Sequence, residues 1–188
     1  MKTMISTEVI QRLKKQDIRA FDELYSATIK DVYHTVYILA SNKQEVDDIV
    51  SEIYYQVWKS IHNYNESLPF PHWLNGLVFR QVKNWKRKAW KRMQLFRKKM
   101  ILETEQFDSI DDDLLKDENK QLLLSLLENM SYKLKEVLVL YYFYEYSQKD
   151  IASVLDIPIG TVKSRHHLAL KHLRKLYNDF DKGGISVC

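Results

Sequence analysis

Lys163, Ser164, His167 and Lys171 are spaced so that one side of a helix would carry them all, with Arg174 near its edge. Val162, Ala169, Leu173 and Leu176 fall on the other side. A helix that buries one stripe and offers Lys, Ser and His on the other suits the major groove of DNA. There such side chains reach base edges and phosphates. Charge alone would fit an ordinary solvated helix face equally well, so the upstream spacing has to carry the case. Ser147 is placed to cap a short helix, and Ala152 is a small residue where two helices must cross closely. Asp156 stands where the chain must turn, and Ile157 follows as a core plug. Pro158 is suited to opening a second helix. A small residue, a turn residue and a branched apolar residue (Ala152, Asp156, Val162) at these offsets spell a helix-turn-helix.

A second constellation lies between Arg80 and Lys99. It holds Arg80, Lys83, Lys86, Arg87, Lys88, Lys91, Arg92, Arg97, Lys98 and Lys99 and no acid, with Phe79, Trp85, Trp90 and Phe96 interleaved. Basic side chains neutralise phosphates, and aromatic rings give unpaired bases a stacking surface. A duplex reader needs the first property, whereas a single-strand reader needs both. Trp73, with Leu74, Leu77 and Val78, is expected in the core. A third group is acidic: Glu45, Asp47, Asp48 and Glu52, with Gln56, share one face of a helix. No His or Cys stands nearby to complete a metal or acid–base site, and solvation alone would account for the face. An acidic surface is also well arranged to dock on a basic protein partner.

The elements that must hold these groups are helices. Thr7–Lys15 and Ile18 to about Leu39 show helical spacing of apolar residues. Asn42 is expected to cap the next helix with Glu45 as its capping-box partner. That helix buries Val46, Ile49, Val50, Ile53, Tyr54 and Val57. Asn63–Pro71 reads as a loop, and a further helix runs from about His72 through the basic stretch. Leu122, Leu123, Leu126, Leu127 and Met130 begin the second half. Lys133–Tyr144 follows as a helix apolar enough to be buried on most sides.

Seven Gly and Pro residues in 188 argue for long helices and against a many-stranded sandwich or barrel. With 45% apolar and 29% charged residues the chain is neither a disordered tail nor a membrane bundle. The longest apolar run, Val137–Tyr144, is far short of the roughly 20 residues that span a bilayer. No signal-peptide pattern opens the chain, so a soluble, cytoplasmic protein without membrane insertion is expected. The single cysteine, Cys188, excludes an internal disulfide. His166, His167 and His172 do not share a face, so no metal site is expected. His166 itself is expected in the core or hydrogen-bonded. After Lys99 the charge reverses: Glu103, Glu105, Asp108, Asp111, Asp112, Asp113, Asp117 and Glu118 are opposed by Lys116 alone.

The expected fold class is therefore all-α. Two small helical domains, 1–95 and 118–178, are joined by an acidic flexible linker, 96–117, with a tail at 179–188.

Three segments in this order resemble the group IV, extracytoplasmic-function (ECF) sigma factors of bacterial RNA polymerase, within the sigma-70 family. Glu45–Trp58 resembles region 2.2. Phe70-Pro71-His72-Trp73-Leu74, continuing through Asn84 and Arg87, resembles regions 2.3 and 2.4. Ile157-Pro158-Ile159-Gly160-Thr161-Val162-Lys163-Ser164-Arg165 is close to the most recognisable part of region 4.2. The resemblance implies a sigma-2-like bundle and a sigma-4-like helix-turn-helix domain that bind core RNA polymerase and promoter DNA and promote melting. It implies that Asp47, Asp48, Glu52 and Gln56 meet the β′ coiled coil, and that the β flap is a further polymerase surface contacted. It assigns Arg80, Lys83, Asn84, Lys86 and Arg87 to the −10 element, and Thr161, Lys163, Ser164, His167 and Lys171 to the −35 element. The linker would thread the polymerase's basic interior, and a cognate anti-sigma factor is a further implied partner. The chain departs from its relatives at four places. They often carry Arg where Leu168 and Leu170 stand, an apolar residue in place of His166, and Asn in place of Arg80.

Nothing resembles a phosphate-binding glycine loop, a nucleophile elbow or a metal motif. No catalytic residue, cofactor or small-molecule substrate is expected. Two other readings remain open from the residues: a stand-alone helix-turn-helix regulator, and a decoy that occupies polymerase without starting transcription.

Overall fold

The computed structural model describes residues 5–99, 126–127 and 130–182, and every regular element among them is helical. The expected linker lies outside these residues from position 100 onward. So do Leu122, Leu123 and the tail beyond Lys182.

Helix α1 (Thr7–Lys14) starts where the Ser6 hydroxyl accepts from the Val9 N–H at 3.3 Å. It buries Ile10 and Leu13. Gln16 takes a left-handed conformation (φ 61°) and turns the chain into α2 (Ile18–Leu39), which Asp17 caps through the Arg19 N–H at 2.9 Å. Arg12 closes this corner on Asp17 at 2.8 Å and on Glu23 at 2.9 Å. That contact holds the Asp17 carboxyl below its ordinary range. Helix α2 buries Ala20, Leu24, Val32, Val36 and Leu39 in one stripe, together with the hydroxyls of Thr28 and Thr35.

Helix α3 (Val46–Ser60) buries the six residues expected of it. Its start differs from the expected capping box. Asn42 instead accepts from the Gln44 N–H at 3.0 Å and caps a separate 3₁₀ turn, Lys43–Glu45. The tighter turn uses up the three residues the box would have spanned. No side-chain cap bond opens α3, and Asp47 and Asp48 supply negative charge to its first turn. Helix α4 (Phe70–Lys99) also begins earlier than expected. Pro71 lies inside its first turn, where a missing N–H costs no helical bond. Trp73 packs against the core with Tyr64 and Phe70, as expected.

Helix α5 (Tyr132–Leu138) passes into a π-helical turn, Val139–Phe143. Lys135–Leu140 are buried on every side, as expected, and the expectation fails at the end of the run, where Tyr142 is 58% and Phe143 45% exposed. The wider turn changes the angular positions of successive side chains and swings these two rings outward. Helix α6 (Gln148–Leu155) opens with a full capping box. The Ser147 hydroxyl accepts from the Asp150 N–H at 3.2 Å, and the Asp150 carboxylate accepts from the Ser147 N–H at 3.1 Å. Ser147→Ala is expected to lower the unfolding free energy by about 1 kcal/mol. A urea midpoint equal to that of the parent chain would show that the cap contributes nothing.

Asp156, at φ 52°, closes α6 in the left-handed conformation expected of the turn. Ile157 then packs on the core and α7 (Ile159–Lys182) begins. The larger of two hydrophobic clusters among the described residues joins both halves of the chain. Val137, Val139, Leu140, Tyr146, Ile151 and Val162 join the residues of α1–α4 in a single cluster. A smaller cluster holds Leu127, Met130, Leu138 and Ala169. The two halves read from the sequence as separate bundles thus sit against one another.

Candidate nucleic-acid interface

The turn at Asp156 aims α7 so that its buried stripe starts at Val162 and continues at Ala169, both fully inaccessible. Lys163, Ser164, His167, Lys171 and Arg174 are all exposed on the remaining surface, and Thr161 is half-buried. The Ser164 hydroxyl donates to the Thr161 carbonyl at 3.0 Å, which leaves its oxygen free to accept. Leu168 is exposed on this helix as well, an apolar group among polar ones.

Two neighbours turn elsewhere. Arg165 donates to Glu136 of α5 at 2.6 Å. His166 stacks against Tyr141 and Tyr142, with ring centroids at 4.5 and 5.9 Å. Its Nε2 is buried with no hydrogen-bond partner among the described residues. His166 is therefore packed in the way expected but is not hydrogen-bonded through that atom. Burial, and secondarily the neighbouring His167, push its pKa down.

Along α4, Arg80, Lys83, Arg87, Lys88 and Lys91 are exposed, and Asn84 and Lys86 are half-buried. Lys86 donates to the Ser41 hydroxyl at 2.7 Å, and its ammonium lies 5.1 Å from the centre of the Tyr132 ring. Burial pushes its pKa down. Trp90 is exposed, while Trp85 packs on the core with its indole N–H buried and unpartnered. The helix thus offers cations and the exposed Trp90 ring on a single element, the combination that suits single-stranded nucleic acid.

On α3, Asp47 and Asp48 are exposed and Glu52 and Gln56 half-buried. Gln56 donates to Glu52 at 2.9 Å, which holds that carboxylate in place one turn away. Tyr55 is exposed on the same helix. The three groups singled out in the sequence therefore lie on three different helices, α3, α4 and α7. Sequence reasoning missed the polar contacts between the halves, made by Tyr132, Tyr144 and Tyr146. For Tyr144 and Tyr146 the signal was the tyrosine-rich run Tyr141–Tyr146, read as core only as far as Tyr144; Tyr132 carried no signal. Among the described residues no group of three or more His, Cys, Asp or Glu could hold a metal ion. Nor is any helix among them long and apolar enough to cross a membrane.

Two family models match the chain: Sigma-70 region 2 over residues 24–92, and Sigma-70, region 4 over residues 120–173. The chain is 27% identical over 186 residues to the ECF RNA polymerase sigma factor SigW of Bacillus subtilis (strain 168). That match covers 94% of this chain and 98% of the relative. It is 25% identical to SigX of the same organism, across 82% of both chains. Among solved structures, it is similar in fold to the sigma factor RpoE of Bartonella quintana, crystallised with the anti-sigma factor NepR. There the TM-score is 0.66 at 20% identity, covering 84% of this chain and 96% of that one. CnrH, solved with the cytosolic domain of CnrY, gives 0.64 at 19% identity, covering 90% and 95%.

Proposed function

Because this chain belongs to the ECF branch of the sigma-70 family, we propose that it is the promoter-specificity subunit of a bacterial RNA polymerase. In that role it binds core enzyme, reads the −35 and −10 elements and assists melting. The observation that carries the reading is the outward row Lys163, Ser164, His167 and Lys171 on a helix that follows a left-handed turn at Asp156. Such a helix enters the major groove with bases and phosphates within reach of its polar side. The exposed Leu168 adds an apolar group suited to a thymine methyl.

The −10 role falls to α4, through Arg80, Lys83, Asn84, Lys86 and Arg87. Cations hold the backbone of the opened strand, and Trp90 offers a stacking face. Core binding falls to the acidic side of α3, through Asp47, Asp48, Glu52 and Gln56, by charge complementarity with a basic partner. The β′ coiled coil and the β flap are the polymerase surfaces concerned. The site of action is the cytoplasm, where the polymerase works, and an anti-sigma factor is the proposed regulator. The work of this chain is recognition, positioning and strand separation, and it needs no bond-making side chain of its own.

Gel filtration with core enzyme, followed by in-vitro transcription, tests the reading. A stable complex that initiates at defined sites supports it. A dimer that ignores core supports a stand-alone regulator instead, and a complex that yields no promoter-specific transcript supports a decoy. Lys163→Ala is expected to reduce −35-dependent initiation about tenfold, the loss of one good base or phosphate contact. Core affinity should be unchanged. Equal initiation by the variant and the parent would remove Lys163 from the DNA interface.

A further inference from the structure

We propose that the chain holds a small-ligand site, for an adenine nucleotide, in the cleft between the end of α1 and the end of α3. None of the residues assigned above to DNA or to core enzyme lines this cleft, so the inference stands apart from the polymerase role.

The cleft has a volume of about 490 Å³, within the range of small-molecule sites. Lys14, Gln16, Tyr55, Trp58, Lys59 and His62 line it. Its lining is therefore basic, aromatic and amide, with no carboxylate. Local physics accounts for part of this set. Lys59 stands in the last turn of α3, and His62 in the 3₁₀ turn that follows, Ile61–Asn63, where cations complement the helix dipole. Lys14 is already held by Glu66. The dipole does not explain the rings. Tyr55 is 56% exposed, one turn before Lys59. Trp58 is half-buried and meets Phe21 edge-on, with ring centroids 5.3 Å apart. Rings three residues apart on one helix are neighbours on its surface, and together they offer a base a stacking face. Lys59 makes no ion pair among the described residues, and its ammonium lies 6.0 Å from the centre of the Tyr55 ring. A phosphate beside a stacked base would meet that cation directly.

Gln16 supplies the choice of base. Its backbone is left-handed (φ 61°), at a helix end where glycine is favoured. A glutamine there costs backbone strain, and what it brings in return is a side chain that reaches the cleft. The Gln16 amide donates to the Trp58 carbonyl at 3.4 Å. That uses one of its two N–H bonds and leaves the second, together with the amide oxygen. This pair of groups matches the N7 acceptor and N6 donor on the edge of adenine. Guanine presents acceptors at both positions and would set its O6 against the amide oxygen. In the occupied site the adenine stacks on Tyr55 and Trp58, Gln16 reads its edge, and Lys59 with His62 meets the phosphates.

Equilibrium dialysis of the full chain against radiolabelled ATP, with GTP, adenosine and tripolyphosphate as competitors, tests the site. ATP should bind about tenfold more tightly than GTP, the discrimination of one amide–base pair. It should also bind more tightly than adenosine or tripolyphosphate. Gln16→Gly removes the amide while suiting the left-handed backbone, so the fold is kept and the preference for ATP over GTP should vanish. Tyr55→Ala should weaken ATP binding about tenfold, the loss of one stacked base, and Tyr55→Phe should match the parent. Lys59→Ala should weaken ATP by a similar factor and leave adenosine unchanged. Both side chains are exposed, and unchanged circular dichroism will show that these variants fold.

No binding of ATP at millimolar concentration overturns the site. Tripolyphosphate that competes as well as ATP overturns the nucleotide and leaves only a surface that attracts anions. ATP affinity unchanged in Tyr55→Ala and Lys59→Ala moves the nucleotide off this cleft, and an ATP preference that survives Gln16→Gly removes Gln16 from the reading of the base.

Discussion

Asp47→Lys/Asp48→Lys is expected to weaken binding of core RNA polymerase by more than about a hundredfold. Both carboxylates are exposed in the first turn of α3. Replacing them places two cations where a basic partner surface would come. Like-charge contact across an interface costs several kcal/mol, and about 3 kcal/mol already exceeds a hundredfold. The fold should survive, because neither side chain holds any part of the core. The loss of negative charge at the helix start removes roughly 1 to 2 kcal/mol of stability from the pair. Asp47→Asn/Asp48→Asn separates the two effects: it deletes the attraction without adding repulsion and should fall between parent and reversal. Fluorescence anisotropy of labelled protein titrated with core enzyme, at low and at high salt, is the measurement. The difference between parent and reversal should shrink as salt screens it. Equal affinities at low salt would remove the acidic face from the docking surface.

Helix content, the α3 stripe and the Asp156 turn were legible in the sequence because each depends on local chemistry. Spacings of three and four residues define a buried stripe whatever it packs against, and Asp tolerates the left-handed conformation. The outward row on α7 followed from the same angular logic, and its four named residues are exposed. Local signals failed where a competing turn was just as local. Asn42 could cap an α-helix or a 3₁₀ turn, and no residue nearby distinguishes them. The π turn was hidden for a related reason: the run Val139–Phe143 is apolar throughout, so periodicity could not show where the extra residue enters. The packing of one half on the other was out of reach altogether. Tyr146 meets Asn75, and Tyr144 meets Thr35, across long stretches of chain. A tyrosine read in sequence carries an apolar ring and a hydroxyl, and nothing local says which will matter. Lys86 and Arg165 look like free surface cations on that basis, whereas the fold gives each a partner.

Arg165→Ala is expected to cost about 3 to 5 kcal/mol of stability at neutral pH, far more than loss of an exposed DNA contact would. Arg165 Nη1 lies 2.6 Å from Glu136 Oε1, with side chains only 18% and 9% exposed. Truncation leaves the carboxylate buried, with the charges of Lys83 and Lys133 still acting on it. Burial already outweighs Arg165 in the parent, so the Glu136 pKa is raised above its ordinary value. A raised carboxyl pKa means the folded chain binds a proton that the unfolded chain has lost. Stability therefore falls as pH rises from the ordinary carboxylate value through the folded one. Without Arg165 the folded pKa moves higher still, so the deficit of the variant should be largest near pH 7 and shrink toward about pH 5. His166 works in the opposite sense, since its depressed pKa makes the fold weaker in acid. It is present in both proteins, so the difference between them isolates Glu136. Urea unfolding at both pH values measures it, and Arg165→Ala/Glu136→Gln should recover much of the loss by removing the buried charge. A deficit below about 1 kcal/mol, or one that ignores pH, would show that the Arg165–Glu136 pair does not act as a buried ion pair.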